Sequence, residues 1–264
     1  MPNWDYPCSE PVDITIDSWA AGSIAISGEP TSTLSVEVLP SRRTGNAEEL
    51  LAEVEVSFED GQLYVHGPRP GAFHRNRGLD LTIKAPAGSG CAAKTASADL
   101  TCVGEIGALT AHTASGDVTA AAVTGDVTVH TASGDVMLQE AGGDVSFATA
   151  SGDIQLVRVA GETQARSASG DVTIGQCGGS LSVNTASGDV RVSAAQAGKV
   201  HLNSASGDLR VGVVPGIAVY LDLSSTSGDV KSQLDPAGDE EPADAAIEIK
   251  CRTLSGDITI TKAA

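Results

Sequence analysis

The chain of 264 residues is long enough to bury a sizeable core, in one domain or two. Hydrophobic residues make up 41% of it and aromatic residues only 3%, which excludes a disordered chain and requires a core of Val, Ala, Leu and Ile. The formal charge of −18 repels phosphate backbones and anionic membrane surfaces, so we expect no nucleic-acid partner.

Residues 1–90 contain short runs that alternate apolar and polar side chains, which predicts β-strands. A short helix is predicted over residues 46–52, with Asn46 as its N-cap and Glu48 and Glu49 in its first turn. Because the end of an open sheet must be shielded, we expect residues 1–90 to form an irregular N-terminal β cap, continuous with the repeats that follow. The predicted strands are 12–16, 23–26, 34–38 and 63–65.

The amino-terminal residues show no basic start followed by an apolar run, and no stretch has the roughly 20 apolar residues that span a bilayer. The five cysteines are odd in number and lack a C-x-x-C spacing, so they indicate neither a disulfide framework nor a thiolate metal site. We therefore expect a cytoplasmic protein without a membrane span, whose thiols are free and buried.

An internal repeat dominates the chain after residue 90 and is typical of a stacked architecture. The string Thr-Ala-Ser-Gly-Asp-Val occurs at 113–118, 131–136 and 185–190, and close variants recur down to residue 258. Its aspartates lie 18 residues apart over most of the repeat, and a weaker turn follows nine residues after each one. We expect Gly and Asp to close structural turns at each corner. These residues are Gly116, Asp117, Gly134, Asp135, Gly152, Asp153, Gly170, Asp171, Gly188, Asp189, Gly207 and Asp208.

A nine-residue repeat fits either an antiparallel meander or a solenoid in which each coil contains two repeats. Residues one coil apart in a solenoid stack at about 4.8 Å. The half of each unit with the regular Ser-Gly-Asp motif and the half with the weaker turn can therefore each form a separate ladder of strands. A meander would leave one sheet face uncovered. The sequence therefore predicts an all-β fold, a single-stranded β-helix (β-solenoid) of about 18 residues per coil over residues 91–264.

The predicted coils place three columns of side chains inside the solenoid. Two columns are aliphatic, and the third consists of alanines where the chain bends. An acidic loop at 233–244 and a basic loop at 67–78 are predicted to be solvated insertions. The columns are Val118, Val136, Ile154, Val172, Val190 and Leu209; Ala120, Leu138, Leu156, Ile174, Val192 and Val211; and Ala114, Ala132, Ala150, Ala168, Ala186 and Ala205.

Several of these segments resemble the DUF4097 family of adhesin-like β-strand repeat proteins, most of all its short actinobacterial members. They are the alternating strand around Ile14 and Ile16, the Ala-Pro-Ala-Gly-Ser stretch at 85–89, the Ser-Gly-Asp-Val repeats and the closing segments 220–223 and 254–258. The resemblance covers essentially the whole chain. It implies a single-stranded β-helix and no established activity.

Calcium binding is one alternative role for the aspartate ladder, because RTX-type β-rolls also have a nine-residue repeat. The candidate ligands would be Asp117, Asp135, Asp153, Asp171 and Asp189. Here Gly and Asp are adjacent, and one carboxylate per corner supplies fewer than the six to eight oxygens that Ca²⁺ takes. We therefore expect no metal and no cofactor.

Two further alternatives concern the regular faces. Carbohydrate-active β-helices use paired carboxylates, but those must differ in environment, whereas a ladder gives every Asp nearly the same one. His112 and His130 share a column that continues with Ala, Arg and Asn, which is typical of an exposed polar row. Thr113 and Ser115, with their equivalents, would flank an inward Ala as in ice-binding solenoids.

The remaining hypothesis is a non-enzymatic β-solenoid scaffold or protein-interaction module of unknown ligand. It would bind a protein partner or associate with itself, for example end to end. The alternative from a different class is a cell-surface adhesin or envelope-stress binding module.

Overall fold

A computed structural model describes residues 2–41, 47–68, 78–234 and 247–263. The chain divides into two compact units, Met1–Met137 and Leu138–Ala264. Asn46, most of the predicted basic loop and most of the predicted acidic loop lie outside the described residues. In the part of the chain that is described, no helix is both long and apolar enough to cross a membrane.

The N-terminal unit is built from strands and one short helix, which covers most of the predicted helix. Its elements are β1 (Asn3–Pro7), β2 (Asp13–Trp19), β3 (Gly22–Glu29), β4 (Thr33–Pro40), α1 (Ala47–Ala52), β5 (Glu55–Glu59), β6 (Gln62–His66), β7 (Leu79–Pro86), β8 (Ser89–Thr95), β9 (Asp99–Thr113), β10 (Val118–Val123) and β11 (Val127–Thr131).

Strands of the N-terminal unit pair in parallel at the predicted spacing. Val118 of β10 lies beside Leu100 of β9, and Val127 of β11 lies beside Leu109, each 18 residues away. The β-solenoid prediction is therefore confirmed in this unit, because segments one repeat apart are direct neighbours.

Strands β2 and β3 each lie between two parallel neighbours. Strand β2 pairs with both β6 and β8, and β3 pairs with both β7 and β9, always in parallel. Beyond them, β4 pairs antiparallel with β7 and with β1, and β5 pairs antiparallel with β6. Trp19 is buried here, and its indole N–H donates to the Leu79 carbonyl at 3.0 Å.

Only strands were found in the C-terminal unit's described residues. Strand β12 (Val136–Ala141) contains the boundary between the units. It is followed by β13 (Val145–Thr149), β14 (Ile154–Val159), β15 (Thr163–Ser169), β16 (Val172–Cys177), β17 (Leu181–Ser187), β18 (Val190–Ala195), β19 (Lys199–Ser206), β20 (Leu209–Val213), β21 (Val219–Ser227), β22 (Val230–Ser232), β23 (Ile247–Ser255) and β24 (Ile258–Lys262).

Two parallel ladders run through the C-terminal unit. Strands β13, β15, β17 and β19 form one, and β14, β16, β18 and β20 form the other. The coil closest to the C-terminus is inserted between earlier coils: β23 lies between β19 and β21, and β24 lies between β20 and β22. Strands β21 and β22 therefore form the last coil of this unit, which we call the end coil.

Both aliphatic columns are buried as predicted, from Val118 to Leu209 and from Ala120 to Val211. The predicted alanine column is wrong, because Ala114, Ala132, Ala150, Ala168, Ala186 and Ala205 are all exposed. The residue before each alanine points inward instead, since the strand alternation continues without a break through Val127, Val129 and Thr131. The buried hydroxyl residues include Thr131, Thr149, Ser167, Thr185 and Ser204.

Candidate functional site

The Gly-Asp corners stack above one another and are joined by a repeated hydrogen bond. In each case a carboxylate Oδ1 accepts from the backbone N–H of the Asp in the next coil, at 2.8–3.0 Å. Each carboxylate therefore satisfies a backbone donor that would otherwise face the corner without a partner. The acceptors are Asp99 and Asp117 in the N-terminal unit, and Asp153, Asp171, Asp189, Asp208 and Asp257 in the C-terminal unit.

The corner glycines are required by close backbone approach. A Cβ atom on Gly134 would lie 2.0 Å from the carbonyl oxygen of Gly116, and one on Gly188 would lie 2.2 Å from that of Gly170. The same contact recurs at Gly207, whose Cβ would meet the Gly188 carbonyl oxygen at 2.1 Å. No side chain fits at these positions unless the coils separate.

Two different backbone forms occur at these corners. At Gly134 the φ angle lies outside the positive region, and the backbone N–H donates to Thr131 Oγ1 within the same coil at 2.9 Å. At Gly188 the φ angle is 146°, and the N–H donates to the Ser206 carbonyl of the next coil at 3.0 Å. Gly116 and Gly152 share the first form. Gly170, Gly207 and Gly256 share the second form.

The corner carboxylates lie in a repeated and exposed environment. No group of three or more His, Cys, Asp or Glu side chains in the described part of the chain could hold a metal ion. His112 and His130 do come together: their rings stack with centroids 5.0 Å apart and 4° between planes, and both are exposed. The alternative of a hydroxyl array does not fit this corner, because Thr131 faces inward while Ala132 and Ser133 face outward.

All five cysteines are free, and all except Cys8 are buried. Burial raises the pKa of the Cys251 thiol to about 12 and also raises that of Cys177. A hydrogen bond with Cys102, together with burial, raises the pKa of Cys91. These thiols are packed in the core and unsuited to nucleophilic chemistry, which needs the thiolate.

The end coil differs from every coil inside the C-terminal unit. Its inward residues Val219, Leu221 and Leu223 are only partly buried, and Tyr220 is 63% exposed. Beside it lies a groove of about 660 Å³, lined by residues that include Pro215, Ile217 and Leu234. In the described residues, β21 pairs with β23 on one side alone. The repeat spacing did not identify this end, because β21 and β23 both precede the same motif and nothing in it shows that β21 is the outer strand.

Comparison with known proteins gives one family and several solved structures. The family model described as Toastrack DUF4097 matches residues 13–261. No curated protein matches the chain. A "putative adhesin" from Bacteroides fragilis is similar at 14% identity and TM-score 0.48, with 98% of this chain and 96% of that chain covered. A "putative lipid binding protein" from Parabacteroides distasonis is similar at 17% identity and TM-score 0.49, with 99% and 96% covered.

Proposed function

Because the chain belongs to the Toastrack DUF4097 family, we propose that it is a non-enzymatic β-solenoid scaffold that associates with a second copy of itself through the end coil. The observation that carries this proposal is the outer edge of β21. A nine-residue strand there pairs on one side only in the described residues, and its inward row is partly exposed.

An open parallel edge presents backbone N–H and C=O groups together with a row of apolar side chains. A strand with the same alternation fits this edge, because it covers Val219, Leu221 and Leu223 while pairing the backbone groups. Two β21 strands related by a twofold axis would satisfy each other in this way, as in isologous dimers.

Three ion pairs lie at or beside the end coil, although the whole chain carries −18. Acidic residues here have basic partners: Asp229 pairs with Lys231 at 2.8 Å, Asp222 pairs with Arg252 at 3.3 Å, and Glu248 pairs with Lys250. The hydrogen bond from Lys231 lowers the pKa of Asp229, so the pair stays ionised near neutral pH. These ion pairs offset part of the repulsion that two copies of an acidic protein experience.

Sedimentation velocity over a range of protein concentrations tests this proposal. We expect a concentration-dependent dimer that Leu221→Lys abolishes, because an inward-facing charge on an edge strand blocks further pairing. Val103→Lys is the control, since it adds the same charge at an exposed apolar residue on β9 of the N-terminal unit. A strictly monomeric wild-type protein at high concentration would overturn the proposal, as would equal loss in both variants.

We propose a structural role for the Gly-Asp corners, with no metal and no catalysis. It is supported by the hydrogen bond that each of these carboxylates accepts from the backbone N–H of the next coil, and by the repetition of the same environment from corner to corner. Calorimetry with CaCl₂ should show no binding heat, and the melting temperature should not change in a chelator. A calcium-dependent rise in melting temperature would contradict this role.

We propose that residues 1–90 form an N-terminal β cap continuous with the solenoid, that the chain acts in the cytoplasm, and that it is similar to short actinobacterial members of the family. Five free cysteines support a reducing compartment, where thiols persist. Fractionation of native cells separates this proposal from the cell-surface adhesin alternative. A pool of the protein at the envelope or in the medium would favour the adhesin.

A further inference from the structure

We propose that the C-terminal unit binds a phosphomonoester in a groove on the outer face of β16, β18 and β20, which we call the basic groove. The groove has a volume of about 520 Å³, within the range of small-molecule sites. Its described lining includes Arg158, Arg191, Arg210 and Lys262 but no Asp or Glu. A concave basic patch of this kind is unexpected on a chain with a formal charge of −18.

Glycine makes room for the groove at its floor. A Cβ on Gly175 would lie 2.4 Å from the Val157 carbonyl oxygen, and one on Gly212 would lie 2.1 Å from that of Ser193. The neighbouring positions Ser193 and Ala194 are also small. The groove is therefore a consequence of tightly stacked backbone at these positions, and its shape is fixed by the solenoid itself.

Two arginines lie side by side at the centre of this face. Arg191 and Arg210 are direct register partners on the parallel strands β18 and β20, which places their Cα atoms about 4.8 Å apart. Like charges directly opposite each other on paired strands are destabilising. Arg210 is compensated by Asp208, at 2.8 Å between Nη2 and Oδ2, while Arg191 has no ion pair within the described residues.

Hydroxyl groups flank this arginine pair on both sides. Thr173 is the register partner of Arg191, and Thr259 is the register partner of Arg210. One outward row thus presents hydroxyl, guanidinium, guanidinium and hydroxyl in succession. Two guanidinium forks with neighbouring hydroxyls can donate to several oxygens of one anion, which suits the three oxygens and the double charge of a phosphomonoester.

The groove extends past the arginine pair toward Val157, which is 53% exposed, and toward Arg158. Arg158 is held by Glu140 and donates through Nε to Gln176 Oε1 at 3.4 Å. This part can accept an organic body attached to the phosphate, since the volume exceeds what a bare phosphate fills. The ligand class is therefore an organic phosphomonoester, with inorganic phosphate as its weaker fragment.

Isothermal titration with phenyl phosphate and with inorganic phosphate, at low ionic strength, tests the proposal. We expect phenyl phosphate to bind more tightly than phosphate, and both to weaken as NaCl is raised. Arg191→Gln should reduce affinity for phenyl phosphate at least tenfold, because a charge-assisted pair of hydrogen bonds is lost. The matched control is Arg166→Gln, which removes the same charge from an exposed arginine of β15 outside the groove.

Circular dichroism of each variant checks folding, and we expect both to be folded because Arg166 and Arg191 are exposed. Absence of phenyl phosphate binding would overturn the proposal, and so would an equal loss of affinity in Arg166→Gln and Arg191→Gln. Flotation with vesicles of phosphatidylcholine, with and without phosphatidic acid, identifies the source of the phosphate. Flotation that requires phosphatidic acid and Arg191 would place it on a lipid, whereas binding of phenyl phosphate without flotation would indicate a soluble compound.

Discussion

The carboxylate Oδ1 of Asp171 accepts a hydrogen bond from the backbone N–H of Asp189, 2.8 Å away in the next coil. The two residues lie 18 positions apart in the sequence and occupy the same place in successive corners. Side chain and backbone are therefore linked from coil to coil on the outside of the solenoid, in addition to the strand ladders.

Substitution of Asp171 by Ala should lower the free energy of unfolding by about 1 kcal/mol, since the Asp189 N–H loses its acceptor. Asp171→Asn keeps an acceptor oxygen while removing a charge from a row of like charges, so we expect it to be no less stable than wild type. Urea denaturation measures both variants. A larger loss in Asp171→Asn than in Asp171→Ala would show that charge matters at this corner more than the acceptor.

Gly134→Ala should destabilise the protein by about 1–3 kcal/mol, because its Cβ would lie 2.0 Å from the Gly116 carbonyl oxygen. Gly216 provides a control with the opposite property: its φ is 88°, and a Cβ there would meet no atom within 4 Å. Since Asn tolerates the left-handed region, Gly216→Asn should cost less than Gly134→Ala. Thermal unfolding compares the two, and equal shifts in melting temperature would contradict the close-approach argument.

Buried thiols should make the folded protein resistant to Ellman's reagent at pH 8. Cys8 is the partly exposed thiol and should react quickly, whereas Cys251, with a pKa of about 12, should react only after unfolding in guanidinium. More than one fast thiol in the folded protein would contradict this.

The raised pKa of Cys251 also predicts a pH dependence of stability. Its stabilising contribution is complete below the unfolded-state pKa of about 8.5 and decreases as pH rises from there toward 12, because only the unfolded chain ionises in that window. The free energy of unfolding should therefore fall above about pH 8.5, and less steeply in Cys251→Ala. An equal pH dependence of the free energy of unfolding in both proteins would exclude the Cys251 thiol as its cause.

The repeat period predicts the parallel solenoid, because an 18-residue spacing of equivalent residues leaves few other ways to stack strands. It does not predict the position of the last coil. Residues 219–232 and 247–262 carry the same motif and similar inward residues, so either could pair with β19 and β20. The predicted column that contains Val190 and Leu209 already implies that Arg191 and Arg210, the residues that follow them, are neighbours. The repeat spacing does not show that the surface around them is concave, so the basic groove was found only in the structure.

Thr131 and Thr185 begin the same hexapeptide, Thr-Ala-Ser-Gly-Asp-Val, and both are buried, yet their hydroxyls differ. Thr131 Oγ1 accepts from the Gly134 N–H at 2.9 Å, whereas Thr185 Oγ1 has no hydrogen-bond partner among the described residues. The difference arises because Gly188 donates to Ser206 of the next coil instead. The hexapeptide sequence therefore does not determine which of the two backbone forms a corner adopts. The form depends on the neighbouring coil.

Replacement of these two threonines by valine should have opposite effects on stability. Thr131→Val leaves the Gly134 N–H without its acceptor and should lower the free energy of unfolding by about 1 kcal/mol. Thr185→Val replaces an unsatisfied buried hydroxyl with a methyl group of similar size, so stability should be unchanged or higher. Urea denaturation of both variants checks this, with each hexapeptide acting as the control for the other. A loss of similar size at both positions would mean that both corners use the threonine hydroxyl as an acceptor, and the two-form description of the corners would be wrong.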